Sequence, residues 1–103
     1  MRRAGEPPHG YWWNITPDVL YYASKFWFER YGLPVLITEN GFANNDFVML
    51  DGKVYDPQRI DFLHRYLRQV ARALEDGIPV LGYSYWSLFD NFEWAAGYDV
   101  RFG

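Results

Sequence analysis

The chain lacks cysteine, an excess of basic residues and any long apolar run. Without cysteine it has no disulfide framework, thiol nucleophile or thiolate metal site. Ten basic against thirteen acidic side chains leave a formal net charge of −3, so nothing indicates a nucleic-acid partner. No apolar stretch approaches the roughly 20 residues of a membrane span, so we expect no membrane partner either.

The first ten residues predict a loop or a frayed start rather than a targeting segment. Residues 1–3 (Met-Arg-Arg) are basic, as in the start of a signal peptide. Residues 4–10 are rich in proline and glycine, so no apolar signal region follows. We therefore expect a cytoplasmic protein.

Residues 16–38 predict a helix followed by a strand. Thr16 is a candidate N-cap, Pro17 suits the first helical position and Gly32 a helix end. Residues 35–38 form a short apolar run that is typical of a buried strand. Leu20, Ala23, Trp27 and Tyr31 recur at three- and four-residue spacing, which is typical of a helix.

A second helix and a second strand follow a long loop at residues 42–56. Asp56 and Pro57 predict the helix start, Gly77 its end, and residues 80–85 the strand. The acidic residues of the loop do not match calcium-loop spacing, so we expect no metal site. Strands that alternate with helices predict a parallel α/β fold. The apolar stripe expected on this helix comprises Ile60, Leu63, Leu67, Val70, Ala71 and Leu74.

Two polar segments follow the two predicted strands. Glu39 comes directly after the first strand, and residues 86–94 follow the second. Because parallel strands place their carboxyl ends at one edge, we expect both segments to form one site. The alternative is that Glu39 is an ordinary solvated residue at a strand end.

Eight of the aromatic side chains, which make up 21% of the sequence, lie between Tyr83 and Phe102. Among them Trp86 and Trp94 accompany the carboxylate of Glu93. A sugar offers hydroxyl groups and an apolar C–H face, which carboxylates and indole rings can bind. The alternative is that the indoles only fill the end of a sheet.

Residues 37–41 (Ile-Thr-Glu-Asn-Gly) and 86–94 (Trp-Ser-Leu-Phe-Asp-Asn-Phe-Glu-Trp) closely resemble glycoside hydrolase family 1, the β-glucosidase family. Gly97-Tyr98 and Arg101-Phe102-Gly103 extend the resemblance, which runs from about residue 10 to the last residue. It implies a (β/α)8 TIM barrel, of which this chain is expected to supply the last two βα units and the helix before them.

The resemblance also implies roles for six side chains. Glu39 would be the nucleophile of a retaining hydrolysis, with a second carboxylate about 5–5.5 Å away acting as acid and base. The peptide between Trp86 and Ser87 is expected to be cis, and no cofactor is expected. The side chains expected to bind the substrate are Asn40, Trp86, Glu93, Trp94 and Phe102.

The expected substrate is a β-linked glucoside or a short oligosaccharide, and the alternative is a β-galactoside. Glu93 would repel a phosphate, which disfavours 6-phosphorylated sugars. The family's acid/base lies in a Thr-Asn-Glu-Pro motif that this sequence does not contain. We therefore expect an incomplete, inactive piece that needs the N-terminal barrel portion or self-association, unless Glu93 supplies the acid. The alternatives are a sugar-binding chain without turnover and a self-associating half-barrel, since open strand edges invite pairing.

Overall fold

The computed structural model describes residues 14–103, and these residues form two helices and two strands. In chain order they are α1 (Asp18–Tyr31), β1 (Val35–Asn40), α2 (Pro57–Glu75) and β2 (Val80–Tyr85), followed by a short 3-10 turn at Trp94–Ala96. This order confirms the predicted α/β class. The loop or frayed start predicted for residues 1–10 lies outside the described residues.

Local sequence signals account for the helix ends. α1 begins at Asp18, one residue later than predicted, and Gly32 stops it in the left-handed conformation (φ 67°) that glycine adopts without a Cβ clash. The Asp56 side chain accepts a hydrogen bond from the Arg59 N–H (3.4 Å) at the start of α2, and Pro57 opens that helix as predicted.

The two strands pair in parallel. Val35 lies opposite Val80 and Asn40 opposite Tyr85, with two register irregularities between them. β1 continues two residues beyond the predicted end, and β2 has the predicted bounds. Glu39 therefore lies on a strand rather than in a loop, and both strands end at the same edge.

Three small apolar clusters hold these elements together. The first joins Tyr21 of α1 to Ala73 and Ile78, and the second joins Phe42, after β1, to Phe62 and Tyr66 of α2. The third lies beside the carboxyl edge of the sheet and consists of Ala43, Val100 and Phe102.

The apolar residues that recur along both helices are only partly covered within this chain. Trp27 of α1 is 50% exposed, whereas Tyr21 and Ser24 are buried. Ile60 of α2 is 57% exposed, and the buried apolar side chains of that helix are instead Phe62, Tyr66 and Ala73. The helices meet each other and the small sheet, so those contacts decide which side is buried within this chain. No helix in the described part of the chain is long and apolar enough to cross a membrane.

Candidate active site

A cleft of about 520 Å³ lies at the carboxyl edge of the sheet. All six predicted site residues line it, and three further residues complete the wall. The predicted six are Glu39, Asn40, Trp86, Glu93, Trp94 and Phe102; the other three are Gly41, Asn91 and Phe92. The structure thus brings together two segments that are more than 40 positions apart in the sequence.

The end of β1 is tied to β2 through Asn40. The N–H of Trp86 donates to the Asn40 carbonyl (3.1 Å), and the Tyr83 hydroxyl donates to Asn40 Oδ1 (2.8 Å). Burial raises the pKa of Tyr83 to about 12, so the hydroxyl keeps its proton at neutral pH. Asn40 is held through both backbone and side chain, directly beside Glu39.

Gly41 permits a close approach between the two strand ends. A Cβ at this position would lie 1.6 Å from the Trp86 carbonyl oxygen, far inside contact distance. Only glycine fits there, and this is what lets Trp86 reach the cleft beside Glu39. The peptide between Trp86 and Ser87 is cis, as the resemblance predicted.

A tight turn carries the second carboxylate. The N–H of Glu93 donates to the Gly97 carbonyl (2.7 Å), and the N–H of Ala96 donates back to the Glu93 carbonyl (2.9 Å). The Asn91 amide donates to Glu93 Oε2 (2.7 Å). Trp94, the next residue, is 84% exposed, so its indole is available to a ligand.

Phe102 is held on both flanks. Its ring is 4% exposed and packs with Ala43 and Val100, yet it still contributes to the cleft wall. Asp90 accepts hydrogen bonds from the Arg101 guanidinium (2.6 Å) and the Gly103 N–H (3.0 Å). Burial alone would raise the pKa of Asp90, but these hydrogen bonds outweigh it and hold that pKa below its ordinary value.

Arg59 links the segments around Phe102. Its guanidinium is 5% exposed, forms ion pairs with Asp46 (2.7 Å) and Asp56 (2.9 Å), and donates to the Arg101 carbonyl. The N–H of Asn44 reaches the same carbonyl (3.0 Å). The long loop, the start of α2 and the residue before Phe102 are therefore tied together.

The three residues that sequence reasoning missed lie inside the two motifs that carry the resemblance. Gly41 follows Glu39 by two positions, and Asn91 and Phe92 directly precede Glu93. Position alone could have flagged them, but their roles depend on contacts between the segments. Within residues 14–103 no group of three or more histidine or acidic side chains is placed to hold a metal ion.

The chemistry available in the cleft is that of carboxylates and aromatic rings. Two carboxylates, one on a strand and one on a braced turn, can act as nucleophile, base or hydrogen-bond acceptor. The exposed indoles of Trp94 and Trp86 offer flat apolar surface and N–H donors. Such a set suits a polyhydroxylated ligand with an apolar face.

The sequence of the chain is similar to those of known proteins. The sequence model described as Glycosyl hydrolase family 1 matches residues 3–103. A 1,4-beta-D-glucan glucohydrolase of Thermotoga neapolitana is 51% identical over 92 residues, which cover 88% of this chain and 22% of that protein. A beta-galactosidase of Sulfolobus acidocaldarius is 39% identical over 100 residues, which cover 97% of this chain and 18% of that protein.

Solved structures agree with the sequence comparison. A beta-glucosidase from Thermotoga maritima in complex with glucoimidazole superposes with a TM-score of 0.92 at 45% identity, covering 100% of this chain and 23% of that one. The chain spans about a fifth of the length of the curated relatives it matches.

Proposed function

Because the chain belongs to glycosyl hydrolase family 1, we propose that it is part of a retaining β-glycosidase in which Glu39 is the nucleophile. We place it as the last two βα units, the seventh and eighth, of a (β/α)8 barrel. The parallel pair β1–β2, with its cleft at the carboxyl edge, supports that placement, since active sites of such barrels lie at this face.

The observation that carries the proposal is the position of Glu39 at the end of β1, in one cleft with Glu93 and two indoles. A carboxylate on a strand is held more firmly than one on a loop, which suits attack at the anomeric carbon. Attack forms a bond between a Glu39 oxygen and that carbon while the bond to the leaving oxygen breaks. Water then hydrolyses the glycosyl-enzyme.

Glu93 and the aromatic residues bind the sugar in this proposal. Glu93 accepts hydrogen bonds from sugar hydroxyls, Trp94 offers its indole N–H and ring, and Trp86 and Phe102 form apolar wall. The names of the relatives, a glucan glucohydrolase and a beta-galactosidase, suit a substrate with a terminal β-D-glucosyl or β-D-galactosyl unit.

The leaving oxygen needs a proton, and we propose that a barrel portion this chain does not contain supplies it. The Thr-Asn-Glu-Pro motif expected to carry the acid is not in the sequence. Leu36 of β1 and Leu81 of β2 are 59% and 72% exposed, which favours cover by further barrel segments. The same exposure supports the second candidate, association of this chain with its own copies.

The test is a hybrid enzyme in which this chain replaces the matching part of the Thermotoga neapolitana relative. We expect hydrolysis of an aryl β-glucoside, and loss of at least about a thousandfold in the Glu39→Gln variant, which keeps shape but not nucleophilicity. Glu29→Gln, on the exposed face of α1, is the matched control and should leave the rate unchanged. A Glu39→Gln hybrid as fast as its parent would refute the assignment.

The 103-residue chain alone separates the two candidates. A mass that rises with concentration in analytical ultracentrifugation, without hydrolysis, would favour self-association. A monomer that becomes active only when mixed with the remaining portion of the relative would favour completion of a barrel.

A further inference from the structure

The side chains of Asn91 and Glu93 form a short polar contact in the cleft wall. The proposed function gives Asn91 no role. Asn91 Nδ2 lies 2.7 Å from Glu93 Oε2, the length of a charge-assisted hydrogen bond. The two residues are separated by Phe92 alone, and all three line the cleft.

The direction of this hydrogen bond follows from the chemistry of its partners. An ionised carboxylate can only accept, so the amide must present its N–H groups to Glu93. Asn91 Oδ1 therefore points away from Glu93, and it is buried. A ligand in the cleft cannot reach that buried oxygen, and the contact through which Asn91 would act on a sugar is the hydrogen bond to Glu93.

The backbone of Glu93 is fixed independently. Its N–H and its carbonyl both close the turn that runs to Gly97. The remaining freedom lies in the side-chain torsions, and the amide of Asn91 restricts the last of them. One carboxylate oxygen is engaged by Asn91, and the other can be presented to the cleft.

We propose that Asn91 is a positioning residue that sets the orientation of the Glu93 carboxylate and thereby fixes how the cleft binds sugar hydroxyls. This inference rests on the proposed function for its consequence, but the positioning contact can be tested without any turnover. An amide suits this task because it donates without adding charge beside the carboxylate.

The first test uses the 15N-labelled 103-residue chain and NMR. One side-chain N–H proton of Asn91, assigned by its loss in Asn91→Asp, should resonate downfield and shift upfield in Glu93→Gln, where a neutral amide replaces the carboxylate. The side-chain amide of Asn45, on the exposed loop, is the internal control and should not move. An Asn91 resonance unchanged by Glu93→Gln would overturn the proposal.

The second test measures kcat/KM of the hybrid enzyme against pH. Asn91→Asp replaces the donor by a second carboxylate, and near pH 7.5 we expect kcat/KM to fall about tenfold, since a hydrogen bond to a charged group is lost. Two adjacent carboxylates hold a shared proton more tightly than one alone, so the deficit should shrink as the pH falls towards about 5. A merely structural defect would give a deficit that does not depend on pH, and that result would contradict the proposal.

The two tests separate this inference from the function it extends. A hybrid with native Asn91 that does not hydrolyse glucosides refutes the proposed function, while the NMR result still decides the contact. Asn45→Asp makes the same chemical change on the exposed loop and should leave the pH profile of the hybrid unchanged.

Discussion

Gly41 is the position where a single methyl group should do most damage to the candidate active site. The added Cβ of Gly41→Ala would lie 1.6 Å from the Trp86 carbonyl oxygen, whereas real Cβ contacts do not fall below 3.0 Å. The carbonyl must therefore move by about 1.4 Å, the difference between those values. Such a shift strains the hydrogen bond from the Trp86 N–H to the Asn40 carbonyl.

The expected cost follows from these two effects. Overpacking of a tight site costs about 1–3 kcal/mol and the loss of a hydrogen bond about 1 kcal/mol, so we expect a loss of about 2–4 kcal/mol. Gly82→Ala in β2 is the matched control. Its Cβ would meet only the tip of the exposed Leu36 side chain, at 3.0 Å, and that side chain can turn aside.

The assay is urea unfolding of the chain and both variants, followed by tryptophan fluorescence. We expect a large drop in unfolding free energy for Gly41→Ala and less than about 1 kcal/mol for Gly82→Ala. Equal losses in the two variants would show that the close approach of the strand ends is not what the chain needs glycine for.

Three further predictions concern the residues around the cleft. Arg59→Met removes the short ion pairs to Asp46 and Asp56 and leaves Asp46 only a longer contact with Arg101 (3.4 Å), so it should cost about 2–4 kcal/mol in urea unfolding, while Arg65→Met, in an exposed pair, should cost less than about 1 kcal/mol. The pKa of Asp90 is lowered in the folded chain, so the contribution of this carboxylate to stability is present above its unfolded-state pKa and is lost as the pH falls through its folded-state pKa. Asp90→Asn should therefore flatten the acid limb of a curve of unfolding free energy against pH. Because burial raises the pKa of Tyr83 to about 12, this tyrosine ionises at lower pH in the unfolded chain, and stability should fall as the pH rises above about 10. Urea unfolding at alkaline pH should show a smaller fall in Tyr83→Phe. An unchanged fall would contradict the assignment.

Local signals in the sequence predict the helices and strands well, and they predict that the two segments of the site lie together. Asp56-Pro57 and Gly32 mark helix ends. Such ends depend on residues close together in the sequence, so the structure has them where they are expected. The parallel arrangement of the strands places Glu39 and residues 86–94 at one edge, and their shared cleft confirms this. These inferences needed only neighbours in the chain and the geometry of a parallel sheet.

The buried faces of the helices could not be predicted in the same way. Periodic apolar residues show that a face will be covered, but they do not show which element covers it. α2 buries Phe62 and Tyr66 against this chain, whereas Ile60 remains exposed. A chain that spans about a fifth of its relatives has fewer elements to cover such stripes.

Contacts between side chains that are distant in the sequence could not be predicted either. Arg59 is buried between Asp46 and Asp56, and of these two partners Asp46 lies in the loop, 13 positions earlier in the sequence. The roles of Gly41 and Asn91 depend on a carbonyl and a carboxylate that approach them only in the folded chain.

The most direct test of Glu39 as the nucleophile is covalent trapping in the hybrid enzyme. A 2-deoxy-2-fluoro-β-glucoside with a dinitrophenolate leaving group needs no acid for the first step, and its fluorine slows the second step by destabilising the oxocarbenium-like transition state. Peptide mass spectrometry should then find the fluorosugar on Glu39, and no label in Glu39→Gln. A label on Glu93, or on any other carboxylate with Glu39 unmodified, would contradict the account.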